Sequence, residues 1–214
     1  MRQILFTYFT IIALGSFAQH STGTNWKLEK NKNGIKVHTR TKTGSNFKEY
    51  KASATIDASI ATIFSAIKDG KNMTKLFPSC LKGEVINNTS EKSFTFYLQL
   101  NAPWPVENRD GVFKYNLSYN KSTKTGYIKG INSTLKAVQK GFTRVTLNNA
   151  DWTLQYITPT TTNITYQAHS NPGGSLPAWL ANSSVVDFPF GTLTNLKERV
   201  KEPEYKNITY SFMK

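Results

Sequence analysis

Between Gly83 and Ser170 the chain falls into six stretches of period-two alternation, and no other feature restricts its fold as much. They read GEVINNT, KSFTFYLQL, GVFKYNLSYN, GYIKGINSTL, RVTLNNADWTLQYI and TNITYQAHS. Alternation sends successive side chains to opposite faces of an extended strand. The links are polar turns such as Asn120-Lys121-Ser122-Thr123. Strands joined this tightly return as antiparallel neighbours, because a parallel crossover needs about a dozen residues or more. A long antiparallel meander is therefore predicted. The 13% aromatic content and the abundance of Thr, Asn and Ser suit strands and turns better than a helical bundle.

Two further strands precede the meander. GIKVHTRT sets Ile35, Val37 and Thr39 against Lys36, His38 and Arg40, and FKEYKASATI follows the turn Gly44-Ser45-Asn46. Together they read as a hairpin. DASIATIFSAIKD then places Ile60, Ile63, Phe64 and Ile67 at i, i+3, i+4 and i+7, an amphipathic helix capped by Asp57 or Ser59. Residues Asn72 to Phe77 read as another short helical turn. The last helix is expected from Pro177 to Lys201, on the spacing of Leu180, Val185, Val186, Phe188, Phe190, Leu193, Leu196 and Val200. Pro189 and Gly191 interrupt it. A proline inside a helix costs about 3 kcal/mol, so a kink is expected there. Hairpin, helix, meander and helix make an α+β fold, with the helices gathered on one face of a bent sheet. The chain of 214 residues shows no repeat and suits one domain. The domain spans 19–202, and 203–214 is read as a C-terminal tail.

The first 18 residues have the layout of a secretory signal peptide. Arg2 precedes an apolar run from Ile4 to about Leu14, and Ser16 and Ala18 are placed for cleavage after Ala18. The run is short for a bilayer span, which needs roughly 20 apolar residues. No cysteine follows the cut, which argues against a lipoprotein anchor. The protein is therefore expected to be exported, to a periplasm or the outside of the cell. The lone Cys80 permits no internal disulfide, and a half-buried structural thiol is the plain reading. The formal net charge is +14. Such a surface suits anionic lipid headgroups or other polyanions, but the lysines are scattered rather than blocked, which is the pattern of a solvated face.

No catalytic or metal signature is present. The sequence lacks a Gly-rich phosphate loop, HExxH and CxxC, and no pair of carboxylates is spaced for acid–base work. His20, His38 and His169 are far apart. His169 ends the strand before a corner, and a satisfied structural histidine is expected there.

Two segments carry a family resemblance. One is PWPVENRDGVF (Pro103 to Phe113), with a Trp-Pro pair and then Arg-Asp opening a strand. The other is ITYQAHSNPGGSLPAWL, where a strand runs through Asn171-Pro172-Gly173-Gly174 into the last helix. Together with NWKLEKNKNGIKVHTR they resemble the StAR-related lipid-transfer (START) domain, over about residues 24–202. The resemblance implies a helix-grip fold, in which a curved antiparallel sheet wraps a long C-terminal helix over an apolar tunnel for one lipid or other hydrophobic molecule. With the signal segment it points to a secreted member of that family; the Asn- and Lys-rich chain looks bacterial. Catalytic residues, metal and cofactor are expected to be none, nucleic acid is not an expected partner, a transient contact with an anionic membrane surface is, and a monomer is expected. Ligand-wall residues on this reading are Phe96, Leu98, Arg109, Phe113, Tyr115, Tyr166, Val185, Phe188 and Leu193. Trp104, Pro105, Asn171, Pro172, Gly173 and Gly174 form the gating loop and the corner. Independently of the family, a bent sheet and one helix do not readily fill a long gap at core density. The competing reading is that these bulky side chains simply fill it. Arg109 either faces the cavity or joins Asp110 in a bracket that pins the loop. The alternatives in function are a helix-grip enzyme of the cyclase or aromatase kind, and an interaction protein that holds no lipid.

Overall fold

Each of the six alternating stretches supplies the body of a strand in the computed structural model, which describes residues 25–214. The signal segment and His20 lie outside the described residues. The chain opens with β1 (Lys27–Lys32), β2 (Ile35–Thr41) and β3 (Lys48–Ile56), followed by α1 (Ile60–Lys68) and α2 (Met73–Leu76). Then come β4 (Cys80–Ser90), β5 (Ser93–Leu100), β6 (Asn108–Asn120), β7 (Thr125–Asn132), β8 (Phe142–Arg144), β9 (Thr146–Thr158) and β10 (Thr161–Asn171). α3 (Ala178–Ser184) and α4 (Asp187–Arg199) complete the set.

One sheet holds all the strands, in the order β1-β2-β3-β10-β9-β7-β6-β5-β4. The meander keeps chain order, and the opening hairpin joins its far edge through β3 and β10, with Ala54 opposite Ile164 and Ala52 opposite Tyr166. All pairings are antiparallel except that of the short β8, which continues the ladder of β6 in parallel where β7 has ended.

α1 fills one end of the concave face. Its cap is Ser59, whose side chain accepts from the Thr62 amide at 3.1 Å. Ile60, Ile63, Phe64 and Ile67 are buried, each stabilising by about 1.5–3 kcal/mol. β7 makes room for the helix at Gly126, where a Cβ would meet Ile60 and Phe64 at 2.7 Å.

The last helix is not one kinked rod. It breaks at Val185 and Val186 into α3 and α4. Pro189 lies in the first turn of α4, where backbone N–H groups have no intrahelical partner in any case. The expected penalty for a mid-helix proline therefore does not arise. Gly191 reflects close approach: a Cβ there would meet Pro78 Cγ at 2.6 Å. Residues 203–214 pack back on α1. Tyr205 and Tyr210 are buried, and the Tyr210 hydroxyl meets Ser65 Oγ at 3.0 Å.

Candidate ligand cavity

α1 covers only part of the concave face, and the inward-facing residues of each strand record where solid core gives way to space. Along β6, Leu117 is core beneath α1, whereas Tyr115, Phe113 and Arg109 line a cavity of about 470 Å³. Along β5, Phe94 is core, whereas Phe96, Leu98 and Leu100 face the cavity. Along β3, Ala52 is core, whereas Tyr50 and Lys48 line it. The cavity thus has an inner end at the level of Tyr50, Tyr115 and Tyr166. Its outer end lies at Arg109 and the loop 101–107. The volume is within the roughly 300–1,000 Å³ span of small-molecule sites.

α3 and α4 form the roof through Leu180, Val185 and Phe188. An aromatic column joins roof to wall: the Phe77 ring stacks on Phe188 at 6.0 Å and on Phe96 at 6.1 Å. α3 itself is lightly held. None of its residues is fully buried. Its polar tie is Asn182, whose side chain accepts from the Lys48 amide at 2.8 Å and donates to the Asn46 carbonyl at 3.0 Å.

Eight of the nine expected wall residues meet here: Phe96, Leu98, Arg109, Phe113, Tyr115, Tyr166, Val185 and Phe188. Leu193 does not; it is sealed in the core. Five residues along an α-helix turn the side chain by about 140°, so Phe188 and Leu193 face different ways. Pro172 also lines the cavity, while Trp104 and Pro105 stand outside it and Trp104 is 92% exposed. Pattern reading did not single out Tyr50, Phe77 or Ala150, although the alternation of Tyr50 with Lys51 puts Tyr50 on the inner face.

Arg109 and Asp110 are neighbours in sequence on opposite faces of β6, and they do not pair with each other. The buried Arg109 guanidinium donates from Nε to the Pro172 carbonyl at 3.0 Å and from Nη2 to the Gly173 carbonyl at 3.4 Å. It also donates from Nη1 to the Glu107 carbonyl. It therefore both lines the cavity and brackets the corner. Among the described residues no carboxylate lies within ion-pair distance of it. Burial draws its pKa down, opposed by the nearby Glu107. Asp110, fully buried behind the wall, takes a forked pair from Arg144, Nε to Oδ1 at 2.7 Å and Nη2 to Oδ2 at 3.0 Å. Burial alone would raise its pKa, and the hydrogen bonds from Arg144 and the Gln139 amide outweigh burial and hold it low.

The corner is built for its task. Asn171 accepts the Gly173 amide on its side chain at 2.9 Å. Gly173 and Gly174 have φ of +71° and +64°, and a Cβ on Gly173 would meet the Arg144 carbonyl at 2.4 Å.

Other candidates for chemistry have structural roles. His169 is buried outside the cavity, with Nδ1 2.6 Å from Asn148 Nδ2 and Nε2 3.1 Å from Ser45 Oγ. Burial pushes the Cys80 thiol up to about 11, and it donates to the Lys82 carbonyl, which is the setting of an unreactive thiol.

Comparison with known proteins places this architecture. The START domain family model matches residues 18–203. An uncharacterized protein of Pseudomonas aeruginosa is 32% identical over 204 residues, covering 94% of this chain and 100% of the relative. The crystal structure of a STAR-related lipid transfer protein fragment from Xanthomonas axonopodis superposes with a TM-score of 0.74 at 31% identity, covering 83% of this chain and 99% of that one. Human StAR-related lipid transfer protein 5 shares the fold, with a TM-score of 0.73 at 18% identity, covering 83% of this chain and 87% of that one.

Proposed function

Because the chain belongs to the START domain family, we propose that it binds one lipid, or a hydrophobic molecule of similar size, beneath α3 and α4 and carries it between membranes. The observation that carries this reading is the cavity of about 470 Å³ walled by Phe96, Leu98, Phe113 and Phe188, which the core side chains leave unfilled. The mechanism is partition and needs no covalent step. Each buried CH₂ of a ligand contributes about 0.8 kcal/mol, so one acyl chain supplies ample affinity.

Two features support loading at a membrane. The lightly held α3 is the element that opens at least free-energy cost. The segments bordering the mouth each carry an outward tryptophan: Trp104 beside Pro103, and Trp179 beside Leu180, the latter 73% exposed. Indole suits a membrane interface, and the net charge of +14 favours anionic headgroups. Export to a periplasm or beyond is part of the proposal; it rests on the charged, apolar and small-residue order of the first 18 residues, at whose end the family match begins.

Native mass spectrometry of protein isolated from its own host, followed by organic extraction, tests the reading. A stoichiometric adduct of one lipid class is expected. Ligand-free protein that also takes up nothing from vesicles would overturn it.

A further inference from the structure

Three tyrosines stand at the inner end of a cavity that is otherwise apolar at that level. Each faces a small residue across the sheet: Tyr50 pairs with Ala168, Tyr166 with Ala52, and Tyr115 with Gly130. The small partners give the rings room to lean inward. At Gly130 this is explicit, since a Cβ there would lie 2.4 Å from the Tyr115 ring. Tyr50 and Tyr166 meet edge to face at 5.2 Å. Tyr166 stacks on Trp152 at 3.8 Å. The three hydroxyls are close enough to act on one another's ionisation, and burial keeps all three protonated.

Phenylalanine would fill these positions without burying a hydroxyl that has to find hydrogen-bond partners. The cluster also contains a spare donor. Trp152 is buried on the same face of the sheet, and its Nε1–H has no hydrogen-bond partner among the described residues. The Tyr115 hydroxyl lies near enough to feel that N–H.

No ionised side chain stands among the three tyrosines; Lys48, one same-face step from Tyr50 on β3, holds its ammonium 3.9 Å from Glu29 Oε1. The charged lining residues are Lys48, Arg109 and Asp187. Arg109 and Tyr115 are six residues apart on β6, about 20 Å along an extended strand. With Arg109 distant and Lys48 paired to Glu29, the inner end offers hydroxyls rather than a free charge, which suits a neutral oxygen.

Resting on the lipid-binding reading above, we propose that the inner end is a specific receptor for one uncharged oxygen, a hydroxyl or carbonyl, carried on the buried end of the ligand and held by Tyr50, Tyr115 and Tyr166. The ligand oxygen accepts the Tyr115 hydrogen, which turns a Tyr115 lone pair toward the Trp152 N–H to accept from it. Tyr50 and Tyr166 supply the remaining donor and acceptor. The ligand class is thus an elongated apolar molecule with its polar function at the inner end.

The test titrates the purified protein with 1-dodecanol and with dodecane, each delivered from cyclodextrin. The alcohol is expected to bind about tenfold more tightly. The indole N–H resonance of Trp152, assigned with Trp152→Phe, is expected to move downfield with the alcohol and not with the alkane. The combined Tyr50→Phe, Tyr115→Phe, Tyr166→Phe variant should keep its affinity for dodecane and lose the preference. If that variant does not fold, Tyr115→Phe alone should reduce the preference and abolish the resonance shift. Equal binding of the two probes by the native protein, or a preference that survives the phenylalanine variants, overturns the receptor and leaves the lipid-binding reading standing. Failure of both probes to bind the native protein overturns both.

Discussion

Arg109 Nε donates to the main-chain carbonyl of Pro172 at 3.0 Å, and this bond ties the mouth end of β6 to the corner between β10 and α3. The residues are far apart in sequence, and each belongs to a segment that borders the cavity. The guanidinium thus fixes the roof's point of attachment without closing the roof itself.

Arg109→Met is expected to lower stability by about 2–3 kcal/mol, because the Pro172, Gly173 and Glu107 carbonyls lose a charged donor. Urea denaturation measures the loss. Amide exchange at residues 173–180 should quicken more than exchange in β2 and β3. A uniform change across the sheet would argue against the local role.

Gly173→Ala should destabilise the protein although it adds one methyl group. The backbone has a positive φ, and the new Cβ would clash with the Arg144 carbonyl at 2.4 Å. A shift of at least about 1 kcal/mol is expected in the same denaturation experiment.

The buried pair of Asp110 and Arg144 makes stability pH-dependent. The folded pKa of Asp110 lies below its unfolded value. Its contribution is therefore complete above about pH 4 and is lost as pH falls through the folded value. Arg144→Met should cost about 3–5 kcal/mol near neutral pH, since it leaves a buried carboxylate unpaired. The double variant Asp110→Asn, Arg144→Met should lose less than the sum of the singles. Thermal melts between pH 2 and 7, a window set by the usual aspartate range, should show a shallower acid limb for Asp110→Asn than for the native protein.

Ala150→Phe is expected to abolish lipid loading at a cost of about 1–3 kcal/mol in stability, since Ala150 is fully buried. Ala150 lines the floor of the cavity, so a larger ring enters space that a ligand would otherwise take. Native mass spectrometry reads the loading, and a thermal melt checks the fold. Loading that survives the substitution would place the ligand elsewhere.

Trp104→Ser with Trp179→Ser should reduce binding to anionic vesicles and slow lipid transfer, while lipid already bound remains. Added salt should weaken the residual binding further. Vesicle sedimentation together with a fluorescent transfer assay separates these effects.

The sequence by itself determined most of the elements. Alternation fixed the strands of the meander, Ser59 and the apolar spacing fixed α1, and Asn171 to Gly174 fixed the corner, because each signal depends only on residues close along the chain. The START resemblance pointed to eight of the wall residues on the same local grounds. Tertiary structure decided what local signals do not carry. It joined β3 to β10 across a hundred residues of chain, broke the last helix before Pro189 rather than at it, and turned Leu193 into the core while Phe188 faced the cavity. It also separated Arg109 from Asp110, one toward the ligand space and one toward Arg144. Whether an inward aromatic fills a core or walls a cavity depends on how far α1 reaches along the concave face. That extent is set by the packing of Ile60 and Phe64 against Gly126, residues that meet only once the sheet has curved.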